Sequence, residues 1–99
     1  SFGNDLIKSR RASKFFMAAS GVHEALGITC AHNYEVLTKR AAMQSSLSSI
    51  LLADSSKFGS IRTAYVAQLN EIDTIVTDSG MSDEWADTIH GMGITLHIV

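Results

Sequence analysis

The chain has 99 residues, 45% hydrophobic and 18% charged, with a formal charge of −2, one cysteine and no proline. That composition suits a single domain with a real core, and the weak negative charge gives no general attraction to nucleic acid. No apolar run approaches the roughly 20 residues of a membrane helix, and the lone Cys30 excludes an internal disulfide framework and suits a reducing compartment. With no leader pattern after Ser1-Phe2-Gly3, the expectation is a piece of a longer cytoplasmic protein, a single unit over residues 1–99.

In chain order, Asn4 to Ala12 can form a short helix displaying Lys8, Arg10 and Arg11, a cluster that reads as a solvated face. Lys14-Phe15-Phe16-Met17-Ala18-Ala19-Ser20 reads as a strand running into polar Gly21-Val22-His23. A loop holding Gly21, Gly27 and Asn33 leads to a helix from about Tyr34 to Ser46. Asn33 is its expected N-cap, and Val36, Leu37, Ala41 and Leu47 form its inward stripe. The run Ile50-Leu51-Leu52-Ala53 stops abruptly at Asp54 and is followed by Ser55, Ser56, Lys57, Phe58 and Gly59, the pattern of a buried strand ending in a polar loop.

Ala64 to Ala67 reads as a short strand and Gln68 to Ile72 as a single helical turn. Asp73 to Asp78 repeats the strand pattern and runs into a turn made by Asp78, Ser79 and Gly80. Ser82-Asp83-Glu84 joins an N-cap residue to two carboxylates in a first turn, where the helix dipole favours them. Trp85, Ile89 and Met92 recur at helical spacing, Gly91 and Gly93 offer a stop, and Ile94 to Val99 reads as a last strand. This order predicts an α/β fold with a largely parallel sheet and right-handed crossovers. The three polar endings would then face one edge of the sheet, where ligands sit in such folds.

Taken together, these segments resemble the C-terminal part of the sensor domain of DeoR-type bacterial transcriptional repressors. The resemblance rests on Phe16-Met17-Ala18-Ala19-Ser20-Gly21-Val22-His23 with Gly27-Ile28-Thr29, and on Glu35 with Lys39. Leu52-Ala53-Asp54-Ser55-Ser56-Lys57-Phe58-Gly59, Ile72 to Asp78 and Gly93-Ile94 complete it. It implies a three-layer Rossmann-like domain of the sugar-phosphate isomerase type, with helices on both faces of the sheet. It also implies a complete protein that senses a phosphorylated sugar or related metabolite, forms homo-oligomers, and binds DNA only through an N-terminal winged helix-turn-helix absent from this chain. The glycine- and hydroxyl-rich phosphate loop of the first half of such a sensor domain has no counterpart here.

Lys57 is the first candidate ligand residue, since a lysine on a loop beyond a buried strand can reach a phosphate as a mobile point charge; an ordinary exposed lysine is the alternative. Asp54, Ser55 and Ser56 can accept from sugar hydroxyls or cap the following turn. At the other strand end stand Ser20, Gly21, which allows close backbone approach, and His23, which can donate or accept at neutral pH or simply pack in its loop. Glu35 and Lys39, four apart, share a helix face and form either a surface ion pair or a ligand contact.

No metal set is expected, because Cys30 and His32 lack a second pair, and no cofactor is implied. Walker, Gly-x-Gly-x-x-Gly and nucleophile-elbow patterns are absent from the sequence. The leading reading is therefore a non-catalytic sensor. An aldose–ketose isomerase is the rival, with Glu35, Asp54 or His23 moving protons. Against it, Ser20-Gly21-Val22-His23 departs from the Asp-Gly-His loop of the glucosamine-phosphate enzymes. An oligomerisation module without ligand is the third reading.

Overall fold

The computed structural model describes residues 12–99, with side chains from residue 14 onward. The expected helix over Asn4 to Ala12 lies outside the described residues except for Ala12, which opens the first strand. The elements are β1 (Ala12–Ala18), β2 (Gly21–His23), β3 (Gly27–Cys30), α1 (Tyr34–Gln44), β4 (Ser46–Leu52), β5 (Ala64–Ala67), β6 (Thr74–Thr77), α2 (Asp83–Gly91) and β7 (Thr95–Ile98). Two 3-10 turns, Ser55–Lys57 and Leu69–Glu71, follow β4 and β5.

The strands divide into two sheets. One is parallel throughout, in the order β1-β4-β6-β7; the other is an antiparallel β2-β3-β5 sheet. The molecule is thus a small α/β domain with mixed parallel and antiparallel sheets and two helices, rather than one largely parallel sheet. The stretch read as a loop between Gly21 and Asn33 holds a hairpin. Its three-residue connection Glu24–Leu26 is closed by Gly27 at φ 82°, a left-handed position suited to glycine. β5 leaves the parallel sheet because it pairs with β3, through Thr29↔Tyr65 and Cys30↔Ala64.

Register decides which residues share a face. Met17, Leu51 and Ile75 are aligned across β1, β4 and β6, all almost fully buried, with Leu96 of β7 half-buried beside them. This face packs against Val22, Ile28, Cys30, Val66 and Leu69 of the small sheet and its flanks, against Val36 and Met43 of α1, and against Trp85 and Ile89 of α2. The other face carries Phe16, Ala18, Ile50, Leu52 and Val76. Phe16 is 58% exposed, Leu52 is exposed, and Ile50 is buried but lies outside the core cluster. The described helices therefore lie on one face of the parallel sheet, not on both.

α2 follows its sequence signals: the Ser82 hydroxyl accepts from the Trp85 N–H at 3.1 Å, and Gly93 at φ 76° ends the helical segment. α1 does not. Asn33 sits at the N-cap position in helical conformation without a side-chain cap bond, and α1 contributes no fully buried residue. Of the expected inward stripe, Val36 is half-buried, whereas Leu37 is 81% and Leu47 73% exposed and Ala41 is also exposed. Met43 packs in their place. Leu47 is in fact a residue of β4, which starts at Ser46, four residues before the expected Ile50.

Candidate functional site

Parallel pairing places the ends of β1, β4 and β6 at one edge, and the polar residues following them converge there. After β4, Asp54 caps the Ser55–Lys57 turn: Oδ1 accepts from the Ser56 N–H at 2.9 Å and from the Ser56 hydroxyl. Lys57 Nζ lies 3.8 Å from Asp54 Oδ2. After β6, Asp78 braces the same turn from the other side, its Oδ2 accepting from the Ser55 N–H at 2.9 Å and its Oδ1 from the Gly80 N–H at 2.8 Å. The two carboxylates thus organise one turn, and each is held below its ordinary pKa. For Asp54 the causes are the Ser56 hydroxyl and N–H, with the Lys57 charge adding to them. For Asp78 they are the Ser55 N–H and hydroxyl and then the Gly80 N–H.

The β1 end joins this edge through backbone bonds. Gly59 N–H donates to Val22 O at 2.7 Å, and Val22 and Phe58 form a β-bridge. Gly21 has a packing reason of its own, since a Cβ there would lie 2.5 Å from Ser60 O and 2.6 Å from Thr29 Oγ1. From α1, Lys39 Nζ donates to Ala18 O at 2.7 Å and stands 3.8 Å from Glu35 Oε1. The expected Glu35–Lys39 pair therefore exists, and it is anchored at the last residue of β1.

Asp54, Ser56, Lys57, Ser20, Gly21, Glu35 and Lys39 accordingly gather around one sheet edge. A shallow cleft of about 210 Å³, lined by Asp54, Thr77 and Asp78 with Leu52, Val76 and Val99, opens between the β4, β6 and β7 ends. Two residues at this edge were not singled out from the sequence as ligand candidates. Asp78 read as a simple turn residue. Thr77 is 3% exposed, and its Oγ1 has no hydrogen-bond partner among the described residues. His23 stands apart. It lines a larger cavity between the hairpin turn and α2, where its Nδ1 accepts from the Ala25 and Leu26 N–H groups at 3.1 and 3.0 Å. Among the described residues, no group of three or more His, Cys, Asp or Glu could hold a metal ion.

A parallel sheet whose strand ends gather hydroxyls, two braced carboxylates and two lysines is the arrangement in which α/β domains hold small polar ligands. Residues 1–79 match the DeoR C-terminal sensor domain, and the chain belongs to that family. It is 37% identical over 70 residues to the deoxyribose operon repressor of Escherichia coli, covering 71% of this chain and 28% of that protein. It is 34% identical over 98 residues to the HTH-type transcriptional repressor GlcR of Bacillus subtilis, covering 96% of this chain and 38% of that protein. To the lactose phosphotransferase system repressor of Staphylococcus epidermidis it is 34% identical over 76 residues, covering 77% and 30%. The chain thus spans well under half the length of these relatives. It is a ligand-sensing, non-enzymatic regulatory domain of the DeoR type.

Proposed function

We propose that the complete protein is a cytoplasmic transcriptional repressor of sugar metabolism. In this reading its sensor binds a phosphorylated sugar, or a related metabolite, at the edge built by Lys57, Asp54, Ser56, Ser20, Gly21, Glu35 and Lys39. The observation that carries the proposal is the Ser55–Lys57 turn, held by Asp54 and Asp78 so that the Lys57 ammonium stands at the end of the central strand β4. An ammonium in that place recognises a phosphate as a point charge, and the turn's hydroxyls recognise sugar oxygens. The relatives' names, a deoxyribose operon repressor and a lactose phosphotransferase system repressor, support a sugar-derived effector.

The complete protein binds DNA through an N-terminal domain outside this chain and works as a homo-oligomer, the ligand favouring one state by about 1–3 kcal/mol. A three-layer Rossmann-like domain is the finer fold proposed. Parallel sheets are covered on both faces, and the open Phe16–Leu52 face is where further chain of the complete protein completes the third layer.

The test is thermal unfolding of wild type and Lys57→Ala with a panel of sugar phosphates and their unphosphorylated counterparts. A ligand at 100 times its dissociation constant adds about 2.7 kcal/mol of stability. A shift with one phosphosugar, lost in Lys57→Ala, is expected. Equal shifts in both proteins would remove Lys57 from the site, and isomerisation of a sugar phosphate by the complete protein would replace sensing by turnover.

A further inference from the structure

A second cavity, larger than the cleft at the sheet edge, takes no part in the phosphate-facing edge. It holds about 560 Å³ and is lined by His23 and Glu24 of the hairpin, Gly59 of the loop after β4, and Glu84, Trp85 and Thr88 on α2. That volume falls within the roughly 300–1,000 Å³ of small-molecule pockets. Its chemistry is one-sided: among the described residues lining it are two carboxylates, one hydroxyl and one imidazole, but neither lysine nor arginine.

Two of these groups are held in place before any ligand arrives. The His23 Nδ1 accepts two backbone N–H groups, so in the neutral ring the proton sits on Nε2, which remains a donor. Trp85 is fixed edge-on against Phe58, with ring centroids 5.3 Å apart at 68°, and is half-buried, which leaves part of the indole as an apolar wall. A rigid aromatic surface suits the C–H face of a sugar ring, and carboxylates, a hydroxyl and an N–H donor suit its rim of hydroxyls. A phosphate would meet two carboxylates and no countercharge.

We propose that this cavity is a second site, taking an unphosphorylated sugar, with an amino sugar bound more tightly than its neutral parent because its ammonium meets Glu24 and Glu84. The domain would then read the two chemical states of a sugar at separate places, the phosphorylated form at the sheet edge and the free form against Trp85.

Trp85 is the single tryptophan of the chain, so its emission reports the cavity directly. The full chain and its Lys57→Ala variant are titrated with glucose, glucosamine and their 6-phosphates. The expected result is saturable emission changes with glucose and glucosamine that persist in Lys57→Ala, with glucosamine tighter and the phosphates weaker by at least about threefold each. In Glu24→Gln combined with Glu84→Gln, whose side chains are exposed and whose fold is checked by circular dichroism, the glucosamine advantage disappears. The proposal is overturned if neither free sugar moves the emission at tens of millimolar. It is equally overturned if the phosphates bind Lys57→Ala better than the free sugars do, or if the double variant keeps its preference for glucosamine.

Discussion

Thr77 is the sharpest test of the energetics at the sheet edge. It sits at the end of β6, 3% exposed, and its hydroxyl is without a partner among the described residues. Valine has the same shape and the same β-branched preference for strands, so Thr77→Val exchanges an unsatisfied hydroxyl for a methyl and leaves the backbone alone. An unsatisfied buried polar group costs about 1–3 kcal/mol, and burying one more methyl contributes about 0.8 kcal/mol. Incomplete burial in the native state and residual burial in the unfolded chain both reduce the gain, so stabilisation of about 1–2 kcal/mol is expected. For a domain of this size that raises the thermal midpoint by roughly 4–8 °C per kcal/mol. Thermal unfolding followed by circular dichroism measures it, with Thr77→Ser as the control that keeps the hydroxyl, loses the methyl and lowers the midpoint. If Thr77→Val destabilised the chain by 1 kcal/mol or more, the hydroxyl would have to be bonded, by ordered water or by a ligand, and the argument from an orphaned group would be wrong.

Three other outcomes follow from the geometry. Gly21→Ala is expected to lose about 1–3 kcal/mol in chemical denaturation, because its Cβ would meet the Ser60 carbonyl at 2.5 Å, a backbone atom that cannot swing aside; a neutral result would mean that the β2–Ser60 packing is looser than described. Adjacent residues on opposite faces of β1 should behave oppositely: Met17→Ala, 1% exposed, loses about 2–5 kcal/mol, whereas Phe16→Ser stays within about 0.5 kcal/mol. Comparable losses at both would show that the Phe16 face is covered in the isolated chain. Finally, Asp54 and Asp78 have lowered pKa values in the folded state, so their contribution is present above the unfolded value of about 3.9 and is lost as pH falls through the lower folded values. Carboxyl NMR titration should give both midpoints below 3.9, and a midpoint at or above that value for Asp78 would contradict its bonds to Ser55 and Gly80.

Where local chemistry was enough, the sequence alone determined the outcome. Ser82 caps α2 because hydroxyl and following N–H groups are neighbours in the chain. The Asp54-Ser55-Ser56-Lys57 turn forms because Asp54 can reach the Ser56 N–H two residues on, and Glu35 meets Lys39 because helical spacing puts them on one face. The strand nature of β1, β4, β6 and β7 was legible in their apolar runs, as was the gathering of the polar ends of β1, β4 and β6 once those strands are parallel. The β2–β3 hairpin had a signal too, three residues followed by Gly27, but its strands of three and four residues are too short for periodicity to show.

What only the tertiary structure decided is partnership between distant segments. β5 looks like any short apolar strand, and nothing local indicates that it pairs antiparallel with β3 instead of joining the parallel sheet. Leu37 looks like a core residue, and only the placement of α1 against β1, β4 and β5 leaves it exposed, while Leu47, read into the same stripe, is exposed on β4. Phe16 and Met17 are equally apolar neighbours, yet register across β4 sends one to the open face and the other into the core. The bracing of the Lys57 turn by Asp78, 23 residues from Ser55, and the meeting of His23 with Trp85 around one cavity belong to the same class. In each case the local propensity is satisfied by either outcome, and the choice falls to long-range pairing and burial, whose energies exceed the small differences encoded within any one segment.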